Sequence, residues 1–137
     1  MASRLPKNPL LISGISEITL AVYLGWVIAG MNGNRLGPFK HRTLVLKGHI
    51  DYIMMGTIQI ALSATAFSKR IDPRILWPFM GACWLNASLF LVGAVAEKGR
   101  EIYSHPVVEK VTLLSFTVKT VSWTYMMVKA VQEGFAE

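Results

Sequence analysis

The sequence predicts an all-α integral membrane protein, folded as an antiparallel bundle of four transmembrane helices. Hydrophobic residues make up 53% of the 137 positions and the mean hydropathy is +0.43, which is too apolar for an ordinary soluble domain. Four apolar segments, each long enough to cross roughly 30 Å of hydrocarbon, occupy nearly the whole chain. We therefore expect a single transmembrane domain over residues 1–137, with no soluble domain beside it.

The ends of the four segments carry helix start and stop signals. Asn8-Pro9 introduces the first segment, and the turn-forming Met31-Asn32-Gly33-Asn34 closes it. Gly37-Pro38 prevents a continuous helix before the second, and Pro73 suits the first turn of the third. The predicted helices cover about residues 10–30, 43–67, 75–96 and 107–131. All four are expected to be helices because an unclosed strand would leave its backbone groups unpaired in lipid.

Charge and cysteine content exclude several classes of protein. The net charge is +6, but most of the 14 basic residues fall between the apolar segments, where they would meet lipid headgroups rather than nucleic acid. The two predicted sides of the membrane carry similar numbers of cations, so the positive-inside rule does not decide the orientation. The single cysteine, Cys83, allows neither an internal disulfide nor a cysteine-based zinc site.

Glu17 and Lys119 are charged residues that fall well inside predicted spans. Glu17 lies in the first helix and Lys119 in the fourth, and a charge at the centre of a span costs about 2.5–3.5 kcal/mol on insertion scales. We expect an intramembrane pair between them. A proton or substrate site at these residues, or side chains that reach to the membrane surface, are the alternatives.

His49 is the most informative polar residue of the second predicted helix, where it lies about 9 Å from the helix start. A neutral imidazole there can bind iron or another transition metal, or can donate a hydrogen bond to a neighbouring helix. Gly56 follows seven residues later on the same face and would leave a gap for a flat group such as a porphyrin. In the third helix, Asn86 is expected to make an interhelical hydrogen bond.

These residues belong to a recognisable pattern. The run from His49 to Gly56, the triplet Trp84-Leu85-Asn86, and Met31-Asn32-Gly33 ahead of a proline-containing loop resemble the motifs of a small membrane family that contains styrene oxide isomerase and hydroxylaminobenzene mutase. The resemblance covers approximately residues 20–100. It implies four transmembrane helices, a homotrimer, and a multi-pass protein of a bacterial inner or plasma membrane.

The resemblance also implies a cofactor. In this family haem b lies between neighbouring subunits and is bound by a second-helix histidine, which corresponds to His49, while Asn86 would line the pocket. Ferric iron there acts as a Lewis acid on an epoxide, and a hydride shift gives an aldehyde. Two positions depart from the family pattern: Met55 stands where members usually have Asn, and Phe90 where the isomerase has its active-site Tyr.

Two functional hypotheses therefore remain in competition. The first is a haem-binding isomerase or mutase that acts on a small apolar substrate from the lipid, with His49 as the axial ligand. The second is a non-catalytic accessory subunit of a larger membrane complex, such as a lipid or solute transporter, because Met55 and Phe90 lack the family's polar groups. A small transporter that uses Glu17 and Lys119 ranks third, because the sequence shows no repeat symmetry.

Overall fold

The computed structural model of the chain describes residues 8–31 and 35–134. Within these residues the protein is all-helical, without a strand, and the all-α prediction is confirmed. The four long helices are α1 (Pro9–Gly30), α2 (Arg42–Ser63), α3 (Pro73–Val95) and α4 (Pro106–Gly134). Two short 3-10 helices, Ala66–Arg70 and Gly99–Ser104, lie in the connections before α3 and α4. The turn expected at residues 32–34 lies outside the described residues.

Two of the long helices begin with the same local arrangement. The side chain of Asn8 accepts a hydrogen bond from the backbone N–H of Leu11 over 3.1 Å, and Pro9 follows as the first helical residue. Asp72 likewise accepts from the N–H of Arg74 over 2.8 Å and is followed by Pro73. A capped N-terminus with proline in the first turn is favoured because proline lacks the N–H that would otherwise be unpaired.

Helix α2 ends at Ser63, four residues before the predicted end at Phe67. The hydroxyl of Ser63 donates to the carbonyl of Ile60, and that of Thr65 donates to Leu62, each over 2.7 Å. Such hydroxyl groups offer the backbone an alternative to helical hydrogen bonds, so the chain turns here. The sequence prediction extended the helix past these polar residues because the apolar pattern continues to Phe67.

Consecutive long helices pack against each other in antiparallel pairs. The carbonyl of Ala21 in α1 contacts His49 in α2, whereas Gly14, earlier in α1, meets Gly56, later in α2. Between α2 and α3 the same reversal brings Leu44 to Gly93 and Asp51 to Asn86. Between α3 and α4 it brings Phe79 to Trp123 and Ala82 to Ser115. Each helix therefore has most of its contacts with its neighbours in sequence.

The outer surface of these helices is strongly apolar. Helices α1 and α3 are each long and apolar enough to cross a membrane, and only 28% and 33% of the residues in their most apolar stretches are buried. Large exposed side chains include Trp26 and Tyr23 on α1 and Phe116 on α4. Helices α2 and α4 are less apolar because they carry more charged residues.

Candidate functional site

Helices α1 and α2 approach each other closely at two glycines. A Cβ atom built on Gly14 would lie 2.7 Å from the carbonyl oxygen of Gly56, and one built on Gly56 would lie 2.7 Å from the carbonyl oxygen of Gly14. Close backbone approach through small residues is a usual form of helix packing in membranes. Helix α1 therefore fills the space next to Gly56, where the sequence suggested a gap for a flat cofactor.

Beside this glycine contact, Glu17 of α1 meets Gln59 of α2. The amide Nε2 of Gln59 donates to Oε1 of Glu17 over 3.0 Å and to the carbonyl of Met55 over 3.3 Å. Each residue lies three positions after a glycine, and long helical side chains lean toward the N-terminus of their own helix. In an antiparallel pair both side chains therefore lean over the glycines and meet.

The Glu17–Gln59 pair is completely buried, with 0% of either residue exposed. Two of its oxygen atoms, Oε2 of Glu17 and Oε1 of Gln59, have no hydrogen-bond partner among the described residues. Buried polar atoms are nearly always hydrogen-bonded, so these two oxygen atoms are exceptions to the usual pattern.

Lys119 of α4 does not form the expected ion pair with Glu17. Its Nζ lies 3.7 Å from Sδ of Met55 and 5.8 Å from the centre of the Phe116 ring. Gln59 contacts the main chain of Met55 on one side and Glu17 on the other. Met55 and Gln59 thus lie between the two charged residues that the sequence paired.

His49 is held by α1 rather than by another residue of α2. Its Nδ1 lies 2.7 Å from the carbonyl oxygen of Ala21, and because a carbonyl oxygen can only accept, Nδ1 carries the hydrogen. In a neutral imidazole Nε2 then presents a lone pair, and no described residue forms a hydrogen bond with it. Gly25 lets α1 pass close by, since a Cβ there would lie 3.3 Å from Cε1 of His49.

This arrangement fits an axial haem ligand. Histidines that bind metals usually donate the hydrogen of their other ring nitrogen to a carbonyl or carboxylate, which fixes the ring and the tautomer. A haem iron can be bound by one histidine alone, so the fit does not require a cluster of ligating side chains. His49 is half-buried, and Leu46 and Ile53, one turn before and after it on the same face of α2, are exposed.

Asn86 lies on the other side of α2 from His49. Its Nδ2 donates to Oδ2 of Asp51 over 2.7 Å, which joins α3 to α2. Asn86 and Asp51 line a cavity of about 240 Å³, together with Phe90. The structure therefore separates the expected cofactor residues: His49 faces α1, Gly56 lies in the α1–α2 contact, and Asn86 faces this cavity.

The sequence analysis missed two polar contacts between helices. It predicted no partner for Gln59, and it did not single out the buried Tyr52, whose hydroxyl lies 2.6 Å from Oγ of Ser88. A usable signal was present for the first contact, because Gly14 and Glu17 share the spacing of Gly56 and Gln59. No comparable spacing marks the pair of Tyr52 and Ser88.

Polar contacts also join the connection before α2 to the connection after α3. Lys40 forms an ion pair with Glu97, and this hydrogen bond and the positive charge hold the pKa of the Glu97 carboxyl below its ordinary value. The hydroxyl of Tyr103 donates to the carbonyl of Leu89 over 2.9 Å, and burial raises the pKa of this phenol. His41 lies 3.0 Å from the carbonyl of Ala96 through Nε2.

Comparison with known proteins adds no relative. No protein-family model matches the chain, and no significant match was found with curated proteins or with solved structures.

Proposed function

We propose that all four long helices lie in the bilayer, so that the chain is a multi-pass membrane protein. The apolar outer surface of α1 and α3 supports this arrangement, and α2 is packed between them. Two polar residues in the interior of α2 point into helix contacts, where Gln59 meets Glu17 and Asp51 meets Asn86. A helix whose polar groups are paired inside a bundle can enter lipid at lower cost than its composition suggests.

Cysteine labelling from each side of the membrane tests this topology. If all four helices span, cysteines introduced at Arg35 and Lys98 react from one side and one introduced at Lys69 reacts from the other. If only α1 and α3 span, Arg35→Cys and Lys69→Cys react from the same side. The native Cys83 is buried, so the background reaction is low, and the wild-type protein is the control.

We further propose that the protein binds haem b through Nε2 of His49 and acts as an isomerase or mutase on a small apolar substrate. The observation that carries this proposal is the hydrogen bond from Nδ1 of His49 to Ala21, which leaves Nε2 as a fixed ligand. The resemblance of the segment from His49 to Gly56 to the styrene oxide isomerase family supports it. Ferric haem, when bound, supplies a Lewis acid that opens an epoxide without net redox change.

The chain's own residues would orient the ligand and exclude water. The carbonyl of Ala21 fixes the imidazole ring, and Gly25 keeps α1 close to it. Leu46 and Ile53, which are exposed one turn before and after His49, would form one face of a haem pocket, and another copy of the chain would supply the second. A homo-oligomer, a trimer by the family resemblance, is therefore part of the proposal.

An absorption spectrum of protein purified in mild detergent from haem-replete cells tests the cofactor. We expect a Soret band at one haem per chain by pyridine haemochrome assay, and its loss in His49→Ala. His41→Ala is the matched control, because His41 lies at the end of α2 and bonds to the carbonyl of Ala96. A colourless wild-type protein, or a Soret band that survives in His49→Ala, would exclude this ligation. A positive result justifies assays with epoxides and arylhydroxylamines.

The second candidate function is a non-catalytic accessory subunit of a larger membrane complex. It is favoured by the positions of Met55 and Phe90, since Met55 contacts Lys119 and Phe90 lines the cavity beside Asn86. Neither residue supplies a polar group next to His49. Purification in gentle detergent should then yield a partner protein in fixed ratio, and a pure homo-oligomer that carries haem would contradict this function.

A further inference from the structure

The cavity of about 240 Å³ between α2, α3, α4 and the second 3-10 helix combines one carboxylate with aromatic walls. Its polar lining includes Asp51 and Asn86, and its aromatic lining includes Phe90, Tyr103 and Phe116. The volume lies just below the roughly 300–1,000 Å³ of pockets that hold drug-sized ligands. A ligand of this cavity is therefore small.

Asp51 supplies the charge of this cavity. Oδ2 accepts the hydrogen bond from Asn86, and the ion pairs among residues 8–31 and 35–134 do not include Asp51. Lys119, the basic residue in the middle of α4, points its Nζ toward Sδ of Met55 instead. Lys47, one turn earlier in α2, is exposed at the surface. An acidic residue inside a membrane bundle ordinarily has a cationic partner or a functional role.

The two hydroxyl groups that line the cavity already donate hydrogen bonds to backbone carbonyls. Tyr103 donates to the carbonyl of Leu89 over 2.9 Å, and Thr112 donates to the carbonyl of Val108 over 2.8 Å. The hydroxyl oxygens of Tyr103 and Thr112 and the carboxylate of Asp51 can therefore only accept further hydrogen bonds. The cavity therefore suits a ligand that donates hydrogen bonds and carries positive charge.

We propose that this cavity binds a small primary amine with an aromatic or short alkyl group. The ammonium would donate to the carboxylate of Asp51, as a charge-assisted hydrogen bond. The apolar part would lie against Phe90 and Phe116, and aromatic faces also attract cations.

This inference is independent of haem binding, because His49 lies on the opposite side of α2 and does not line the cavity. Failure of either proposal leaves the other standing. The amine experiment measures the binding of an added ligand and does not depend on haem, and the absorption spectrum is recorded without any amine.

Calorimetric titration of the detergent-solubilised full-length protein with benzylamine tests the proposal. Benzyl alcohol, which has nearly the same size and no charge at neutral pH, is the matched ligand. We expect saturable binding of benzylamine and at least tenfold weaker binding of benzyl alcohol. Equal binding of the two ligands, or no saturable binding of benzylamine, would overturn the proposal.

Variants locate the site. Asp51→Asn should weaken benzylamine binding at least tenfold, because the shape is kept and the charge is lost. Phe116→Ala changes an exposed side chain of the cavity wall, so it tests the site even if Asp51→Asn fails to fold, and should weaken binding several-fold. Glu17→Gln is the control, since it removes a carboxyl group from the α1–α2 contact, outside the cavity. Wild-type affinity in both cavity variants would place the amine elsewhere.

Discussion

Oε1 of Glu17 accepts a hydrogen bond from Nε2 of Gln59 across the contact between α1 and α2, over 3.0 Å. Both side chains are fully buried, and neither Oε2 of Glu17 nor Oε1 of Gln59 has a hydrogen-bond partner among the described residues. In a bilayer the main attraction between helices comes from packing and hydrogen bonds, since lipid is as apolar as leucine. This pair therefore contributes to the specificity of the α1–α2 contact as well as to its strength.

The two residues should be energetically coupled. Gln59→Leu leaves the carboxyl group of Glu17 with no hydrogen bond and should cost roughly 1–3 kcal/mol in the free energy of unfolding. In the double variant Glu17→Leu, Gln59→Leu neither partner remains unsatisfied, so the loss should be smaller than the sum of the two single losses. Equilibrium unfolding in mild detergent measures this cycle. Additivity within about 0.5 kcal/mol would show that the residues act independently.

The glycine contact should be intolerant of a methyl group. Gly56→Ala would place Cβ 2.7 Å from a backbone oxygen that cannot move without shifting α1, and should destabilise the protein by about 1–3 kcal/mol. Gly81→Ala is the matched control, because nothing lies within 4 Å of a Cβ at that position of α3. The control should gain up to about 1 kcal/mol through helix propensity. A neutral Gly56→Ala in thermal unfolding would argue against this helix contact.

The ion pair between Lys40 and Glu97 should titrate at low pH. Because Lys40 lowers the pKa of Glu97 in the folded protein, the stabilisation is present above the unfolded pKa and is lost as pH falls through the folded pKa. The side chain of Glu97 is well exposed, so the effect on stability is small. NMR titration of the Glu97 carboxyl group should show the lowered pKa, and Lys40→Gln should raise it toward the ordinary value. Lys69→Gln, in the opposite connection, should leave it unchanged.

The hydroxyl of Tyr52 should contribute to the α2–α3 contact. Tyr52 is 1% exposed and its hydroxyl lies 2.6 Å from Oγ of Ser88. Tyr52→Phe keeps the ring and should cost about 0.5–1.5 kcal/mol, the usual net value of one hydrogen bond. Tyr23→Phe changes a tyrosine that is 67% exposed and should have no effect. Equal unfolding free energies for the two variants would show that the Tyr52 hydroxyl adds nothing.

Local sequence signals were sufficient to predict the helices, but not which side chains meet between them. Asn8-Pro9 and Asp72-Pro73 marked two helix starts correctly, because capping and proline geometry depend on residues within one turn. The end of α2 was predicted four residues too late, since hydrophobicity alone cannot show that Ser63 and Thr65 turn their hydroxyls to the backbone. From the sequence, His49 had two possible roles, as a metal ligand or in a hydrogen bond between helices, and no role was predicted for Asp51.

The sequence by itself determined the all-helical fold, the number of long helices and the identity of the polar residues within them, because hydrophobic length and capping are local properties of the chain. Only the tertiary structure decided which polar groups meet. Glu17 lies with Gln59 rather than Lys119, and His49 bonds to Ala21 while Asn86 bonds to Asp51. For the two contacts between α1 and α2, the reason is that the glycines at positions 14 and 56 bring these helices close together, and the resulting crossing determines which side chains lie within hydrogen-bond distance.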